Sequence, residues 1–128
     1  MKDIQFQKEI IVTEEHLDMY RHVNNVQYVH WVEDIATAHW DNVRKRTSYA
    51  DCTWVMVDHH IQYRKQLVLG DRVTIITYPQ PPEGIRQPRK VEFYRGGELV
   101  AVSRTLWILL DAHKKIVRLP HDWLNELL

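Results

Sequence analysis

The chain has 128 residues, of which 45% are hydrophobic, so it is long enough for one domain whose core needs no disulfide or metal. Its 17 Lys and Arg residues balance its 17 Asp and Glu residues, which leaves no global field favouring nucleic acid or an anionic membrane. The single cysteine, Cys52, cannot form an internal disulfide, and the start MKDIQFQKEI lacks an apolar signal region. We therefore expect a cytoplasmic protein, and no apolar run approaches the roughly 20 residues of a membrane span.

The first part of the chain predicts one strand, a polar loop and one long helix. Residues 4–13 are rich in β-branched side chains and predict the strand, and residues 14–21 predict the loop. From Asn24 onward, apolar residues recur at spacings of three and four, which predicts a helix of about 20 residues ending at the cations 44–46. Asn24 is predicted to be the N-cap, with Gln27 completing a capping box. The predicted apolar stripe consists of Val26, Val29, Val32, Ala36, Trp40 and Val43.

The remainder of the chain predicts mostly antiparallel strands and a short helical turn at the tail. The strands are predicted at 53–63, 72–78, 89–94, 98–110 and 116–119. Gly96-Gly97 predicts the hairpin turn between the third and fourth of them. On the first, the residues predicted to share one face are Val55, Val57, Ile61 and Tyr63. One strand, one long helix and then several strands indicate a single α+β domain over residues 1–128, with the sheet wrapped around the helix.

The segment 98–110 is apolar on nearly every residue, so both of its faces require cover. The helix can cover one face. The other face needs the curl of the sheet or a second copy of the chain, and we therefore expect a homo-oligomer.

Polar residues with catalytic potential are concentrated in residues 18–33, DMYRHVNNVQYVHWVE. This stretch places the carboxylate of Asp18 and the imidazole of His22 just before the start of the predicted helix. The first backbone N–H groups of a helix have no partner inside the helix, so they can stabilise a developing oxyanion. The pattern is typical of a catalytic site.

The element D-x-x-x-H-V-N-N-x-x-Y-x-x-W-x-E resembles the hotdog-fold thioesterases, in particular the 4-hydroxybenzoyl-CoA thioesterase-like group, with acyl-ACP thioesterases as relatives. The downstream segment IQYRKQLVLGDRVTI is similar to the second landmark of that family. The resemblance implies an antiparallel sheet around one long central helix. It also implies active sites between two subunits of a homodimer or of a dimer-of-dimers tetramer.

The resemblance also implies catalytic roles for three residues. Asp18 matches the aspartate that acts as nucleophile or as general base. His22 matches a histidine that positions the thioester or shares the proton transfer, although a structural role is the alternative. Asn25 matches the residue whose backbone N–H polarises the thioester carbonyl. Many relatives carry glycine before the histidine, whereas this chain carries Arg21.

Further residues are predicted to line the substrate site, and each has a structural alternative. Asn24 and Glu33 can have purely structural roles on the helix, and Tyr28 and Trp31 can pack in the core. Basic side chains at strand ends can simply be solvated. For contact with the phosphates of coenzyme A the predicted residues are Arg64 and Arg89 in the first place, with Lys65, Arg86, Lys90 and Arg104 as further candidates.

No metal or cofactor is expected, since coenzyme A is part of the substrate. His59 and His60 are adjacent on a strand and therefore point to opposite faces, and the other histidines lack the spacing of a zinc enzyme. We expect hydrolysis of an acyl-CoA to the free acid and coenzyme A. Acyl-ACP hydrolysis is one alternative, although Tyr20 and Gln66 occupy positions where those relatives carry other residues. A non-catalytic module that binds acyl groups is the other.

Overall fold

The protein, described here over residues 4–128 of a computed structural model, consists of one long helix packed against one antiparallel sheet. The helix, α1, is Asn25–Val43. The strands are β1 (Phe6–Ile11), β2 (Thr53–Tyr63), β3 (Arg72–Pro79), β4 (Gln87–Arg95), β5 (Glu98–Leu110) and β6 (Ile116–Val117). Short 3₁₀ turns lie at Glu14–His16, Arg44–Arg46 and Trp123–Leu127. The predicted α+β class is confirmed, while residues 1–3 of the predicted domain and the start of the chain lie outside the described residues.

The sheet has the strand order β1-β3-β4-β5-β2, with the short β6 added beside β5. All its pairings are antiparallel, from Phe6 opposite Thr77 at one side to Tyr63 opposite Ala101 at the other. Gly96 and Gly97 both have positive φ angles, 56° and 84°, in the turn joining β4 to β5. This geometry confirms the predicted hairpin, because glycine adopts positive φ at little cost. Within the described residues, β1 and β2 are the long edge strands, and the two-residue β6 also pairs with β5 alone.

The buried face of α1 differs from the predicted stripe. Val26 is 61% exposed and Val29 is only partly buried, so the predicted start of the stripe is wrong. The first two turns instead bury the aromatic side chains of Tyr28 and Trp31, which have more apolar area to remove from water. The complete buried set is Tyr28, Trp31, Val32, Ile35, Ala36, His39, Trp40 and Val43.

A β-bulge in β2 overturns the predicted face of that strand. Met56 pairs with Trp107 and Asp58 pairs with Leu106, so Val57 has no opposite residue. One extra residue reverses the inward and outward alternation beyond it. Val55 and Val57 therefore stay 39% and 46% exposed, whereas Ile61, beyond the bulge, packs against the core.

The core has two parts, one at each end of α1. The larger part surrounds Tyr28, Trp31, Ile35 and Phe93 near the start of the helix. The smaller part surrounds the end of the helix and contains Trp40, Val43, Leu109, Leu119, Trp123 and Leu127. Cavities open beside both parts.

Candidate active site

The loop before α1 is closed by hydrogen bonds around Asp18. The backbone N–H of Asp18 donates to the carbonyl of His22 at 2.8 Å, and the N–H of Arg21 donates to the carbonyl of Asp18 at 3.1 Å. The carboxylate oxygen Oδ1 accepts from the N–H of Tyr20 at 2.9 Å and from the N–H of His22 at 3.2 Å. These bonds hold Asp18 in one orientation, and the second carboxylate oxygen accepts no hydrogen bond from residues 4–128.

Arg21 occupies the strained position of this loop. Its φ angle is +66°, in the left-handed region that favours glycine. The guanidinium is bound in bidentate fashion by Glu14, with N–O distances of 2.6 and 2.9 Å. The exposed ion pair fixes the side chain while the backbone adopts the conformation that glycine would adopt more easily.

The start of α1 lies next to the loop and is capped as predicted by Asn24. Its Oδ1 accepts from the N–H of Val26 at 2.9 Å. The predicted capping box with Gln27 is wrong, because the bond of Gln27 to Asn24 is a backbone bond, from its N–H to the Asn24 carbonyl at 2.9 Å. The N–H of Asn25, the first helical residue, has no hydrogen-bond acceptor among residues 4–128. A donor at the positive end of the helix is therefore available to a ligand.

A cavity of about 350 Å³ joins the loop to the helix start. Its wall contains four residues predicted for the site, namely Asp18, His22, Asn25 and Tyr28. The stretch formed by the end of β2 and the residues after it is the opposite wall, of which only Lys65 was among the residues predicted to contact the substrate. It contributes Tyr63, Lys65, Gln66 and Leu67, within the YRKQL segment already noted as a second landmark.

Main-chain bonds hold these two walls together. The N–H of Val23 donates to the carbonyl of Leu67 at 2.9 Å, and His22 forms a β-bridge with Val68. The motif before the helix and the landmark after β2 are therefore parts of one site, although about 40 residues of chain separate them.

Tyr28 lies at the base of this cavity and is buried. Its ring makes edge contacts with Trp31, Tyr63 and Phe93 at centroid distances of 5.1 to 5.6 Å. Burial raises the pKa of Tyr28 to about 12, so its hydroxyl is protonated at neutral pH. Tyr28 thus belongs to the core and to the cavity wall at once.

Other predicted substrate residues lie outside the cavity wall. Trp31 is buried in the core, and Glu33 is exposed on the third turn of the helix. Arg64 is exposed and does not line the cavity, whereas its neighbour Lys65 does, because successive side chains at a strand end point in different directions. Contact of Arg64 with coenzyme A stays a prediction.

Arg89, predicted to contact the phosphates of coenzyme A, does not lie at the surface. The residue lies on β4 with its side chain turned inward, and it is only 7% exposed. Its Nη1 donates to Nδ1 of His39 and to Oγ1 of Thr77, each at 3.0 Å. The inward-facing register of β4, in which Arg89 pairs with Pro79 and Thr105, decides this burial.

No group of three or more His, Cys, Asp or Glu side chains in the described part of the chain is arranged to hold a metal ion. No helix among residues 4–128 has the length and apolar character needed to cross a bilayer.

Comparisons with known proteins agree with this architecture. A model of the thioesterase-like superfamily matches residues 12–127. An alignment of 83 residues at 36% identity relates the chain to the long-chain acyl-CoA thioesterase FadM of Escherichia coli strain K12. It covers 61% of this chain and 61% of the length of FadM.

Solved structures show the same fold. The probable thioesterase YbaW of Escherichia coli superposes with a TM-score of 0.79 at 27% identity, covering 94% of this chain and 95% of that one. The Staphylococcus aureus protein SAV2348, solved in complex with CoA, superposes with a TM-score of 0.80 at 19% identity, covering 99% and 84% of the two chains. The family match over nearly the whole sequence and the helix-and-sheet architecture together show that this chain belongs to the thioesterase-like superfamily and has the hotdog fold.

Proposed function

We propose that this protein is an acyl-CoA thioesterase that hydrolyses an acyl-CoA to the free acid and coenzyme A at the cavity before α1. The observation that carries the proposal is the meeting of the Asp18 carboxylate and the free N–H of Asn25 on one cavity wall. A thioester carbonyl needs a positioned base or nucleophile and a donor for its oxygen, and these two groups supply both. The likeness to FadM supports an acyl-CoA substrate.

The chemistry follows from the two groups in one of two ways. As general base, Asp18 takes a proton from water while the water oxygen bonds to the carbonyl carbon. The carbonyl oxygen gains charge beside the N–H of Asn25. Collapse of the intermediate then breaks the C–S bond, and the departing thiolate takes up a proton. As nucleophile, Asp18 itself bonds to the carbonyl carbon, expels the thiolate and forms an anhydride that water cleaves.

His22 has the smaller part in this proposal. Its backbone N–H holds Asp18 Oδ1 at 3.2 Å and its imidazole lines the cavity. The backbone bond orients the carboxylate in either mechanism, while the imidazole is placed to contact substrate. Lys65 on the opposite wall offers a cation for the phosphates of coenzyme A.

The proposed assembly is a homodimer, or a tetramer of two dimers, joined through the edge strand β2. This strand has 11 residues and pairs only with β5 among the described residues. An unpaired long edge carrying exposed Val55 and Val57 is suited to pairing with a second copy. Such pairing would extend the sheet and place the segment after β2 near the partner's cavity. Analytical ultracentrifugation at micromolar concentration should show a dimer or tetramer, and a monomer would contradict the assembly.

The hydrolysis experiment compares wild type with Asp18→Asn on a panel of acyl-CoA and acyl carrier protein thioesters. The Asn variant keeps an oxygen that can accept from the N–H groups of Tyr20 and His22, so the loop should hold its shape. Loss of the base or nucleophile should lower kcat by about 10² to 10⁴-fold. Asp34→Asn, at an exposed position on α1, is the matched control and should keep the wild-type rate.

Each other outcome has a defined meaning. Full activity of Asp18→Asn would remove the proposed mechanism. Turnover confined to carrier-protein thioesters would favour the acyl-ACP alternative, and absence of turnover on the whole panel would favour a non-catalytic module. A single turnover in water labelled with oxygen-18 distinguishes the two mechanisms. The label can enter the carboxylate of Asp18 only if Asp18 is the nucleophile.

A further inference from the structure

A second cavity, of about 250 Å³, lies between the later turns of α1 and strands β2, β4 and β5. Three tryptophans form much of its wall: Trp40 on the helix, Trp54 on β2 and Trp107 on β5. Trp40 and Trp54 meet edge to face at 5.8 Å, which fixes two of the rings. The proposed catalytic residues do not line this cavity. From Asn25 to Trp40 the helix rises by about 22 Å, so the two cavities lie at opposite ends of α1.

Arg89 contributes a guanidinium to the wall of this cavity. The residue is 7% exposed, and so 93% buried. Nη1 donates to two neutral acceptors, His39 Nδ1 and Thr77 Oγ1. The other guanidinium N–H groups donate to no residue within the described range 4–128. No Asp or Glu of that range forms an ion pair with Arg89.

A buried cation without a counter-ion is costly, and proteins normally pair it. His39 cannot balance the charge, because arginine only donates and His39 must therefore accept at Nδ1 as a neutral ring. Burial and the nearby cations Arg89 and Arg46 lower the pKa of His39 to about 4, which agrees with a neutral ring. The positive charge of Arg89 is thus held in place but left uncompensated.

The rest of the lining adds to this positive character. Arg44 stands at the exposed rim, and none of the residues that line the cavity is Asp or Glu. The side-chain amide of Gln87, which also lines the cavity, already has hydrogen-bond partners. It donates to two backbone carbonyls and accepts from Trp123 Nε1 at 2.8 Å. The group that the cavity lacks is an anion.

We propose that this cavity binds a carboxylate with a flat, apolar body, the carboxylate bound by the free N–H groups of Arg89 and the body packed between the tryptophans. A guanidinium offers its donors in a planar fork that matches the two oxygens of a carboxylate. The indole rings can pack against an aromatic or other flat apolar body. They also exclude water from around the ion pair, which strengthens it.

The site does not rest on thioester hydrolysis. The carboxylate can come from a free acid or from the far end of an acyl group that itself ends in a carboxylate. Both present the same chemistry to Arg89, and the experiment separates them.

The test uses Cys52, which lines the same cavity and is the one cysteine of the chain. Alkylation of Cys52 by the neutral reagent iodoacetamide is followed by mass spectrometry at one fixed pH. Saturating benzoate should slow alkylation of the wild-type protein at least threefold, because the bound ring covers the thiol. Benzamide has the same shape without the charge and should give less than half of that protection. Measurable and equal protection by the two compounds would overturn the proposal.

Variants assign the effect to Arg89. Arg89→Gln should abolish protection by benzoate, whereas Arg118→Gln, at an exposed arginine outside the cavity, should keep it. Retained protection in Arg89→Gln would contradict the assignment. If that variant does not fold, the comparison of each carboxylate with its uncharged counterpart on wild type still decides.

The source of the carboxylate is tested with two acyl-CoAs of equal length, one ending in a carboxylate and the other in a methyl group. Protection by the carboxylate-ended acyl-CoA but not by benzoate or free dicarboxylic acid would identify the substrate tail as the source. Protection by the free acids would identify a separate ligand. Failure of every carboxylate, free or CoA-linked, to protect Cys52 would overturn the proposal, whatever the hydrolysis rates.

Discussion

The two ends of helix α1 carry opposite kinds of site. At its start, a partly exposed carboxylate, Asp18, lies beside a free backbone N–H, and the residues that hold it follow one another in the chain. At its end, a buried cation, Arg89, lies among tryptophans that come from the helix and from two other strands. The first site is organised by local hydrogen bonds and the second by tertiary packing.

This difference predicts that the two ends respond differently to mutation. Changes at the start of α1 should alter the rate of hydrolysis with little effect on folding, because the loop is at the surface. Changes at the end of α1 should alter the free energy of unfolding or its pH dependence, because the side chains there belong to the smaller core.

The largest expected effect on stability follows from Trp123→Ala. Trp123 is buried against Trp40, Trp54 and Tyr49, and its Nε1 donates to Gln87. Truncating it should lower the free energy of unfolding by about 3–5 kcal/mol, measured by urea denaturation. The kcat of the protein that remains folded should not change.

The matched control for this substitution lies at the other end of the helix. Tyr20, on the loop, is 73% exposed, so Tyr20→Ala should alter the free energy of unfolding by no more than about 0.5 kcal/mol. Comparable losses from the two substitutions would contradict the division between the two ends.

An acid-dependent loss of stability is expected from His39. Its pKa is about 4 in the folded protein, against about 6.5 in the unfolded chain, because burial and the cations Arg89 and Arg46 disfavour the charged ring. Between these values the unfolded chain binds one more proton. The stabilisation by the neutral ring is therefore complete above pH 6.5 and is lost as the pH falls towards 4, at about 1.4 kcal/mol per pH unit and about 3 kcal/mol in all.

His39→Asn tests this linkage. The Asn Oδ1 can replace Nδ1 as the acceptor for Arg89 but does not titrate, so the variant should lose the His39 part of the pH dependence. Urea midpoints at pH 7, 6 and 5 measure it. His30→Gln, at an exposed position on α1, should keep the wild-type slope, and an unchanged slope in His39→Asn would contradict the assignment.

The smallest expected effect concerns Arg21 at the start of the helix. Arg21→Gly removes the backbone strain of a positive φ but also the exposed ion pair with Glu14, so its stability should stay close to that of wild type. Arg21→Ala loses the ion pair and keeps the strain, and should be about 0.5–1 kcal/mol less stable than the glycine variant. Thermal unfolding of the two variants side by side gives the difference. An alanine variant as stable as the glycine variant would show that the loop is not strained.

The features that could be predicted were those whose contacting residues lie close together in the chain. The Asn24 cap, the Gly96-Gly97 hairpin and the grouping of Asp18, His22 and Asn25 each depend on a few consecutive residues. The strand segments were also found. The bounds of β2 and β5 agree with the prediction, and the ends of the other strands are shifted by one or two residues, since alternating patterns fix the centre of a strand better than its limits.

Apart from the local capping box with Gln27, the errors share one physical origin, which is pairing or packing between distant segments. The bulge at Val57 depends on how β2 meets β5, and it reversed the face assigned to Val55. The burial of Arg89 depends on the register of β4 between β3 and β5. The start of the helix stripe was misplaced because aromatic residues, which contact the sheet, took the inward positions from Val26.

By itself the sequence determined one long helix, the strands that follow it and the polar loop that carries Asp18 to the helix start, because capping, turn formation and periodicity are local properties. Only the tertiary structure decided that Tyr63, Lys65 and Gln66 form the opposite wall of that site. It also decided that Arg89 lies buried beside His39 at the far end of the helix. The register of an antiparallel sheet sets those positions, and that register is fixed by the burial of side chains from strands far apart in the chain.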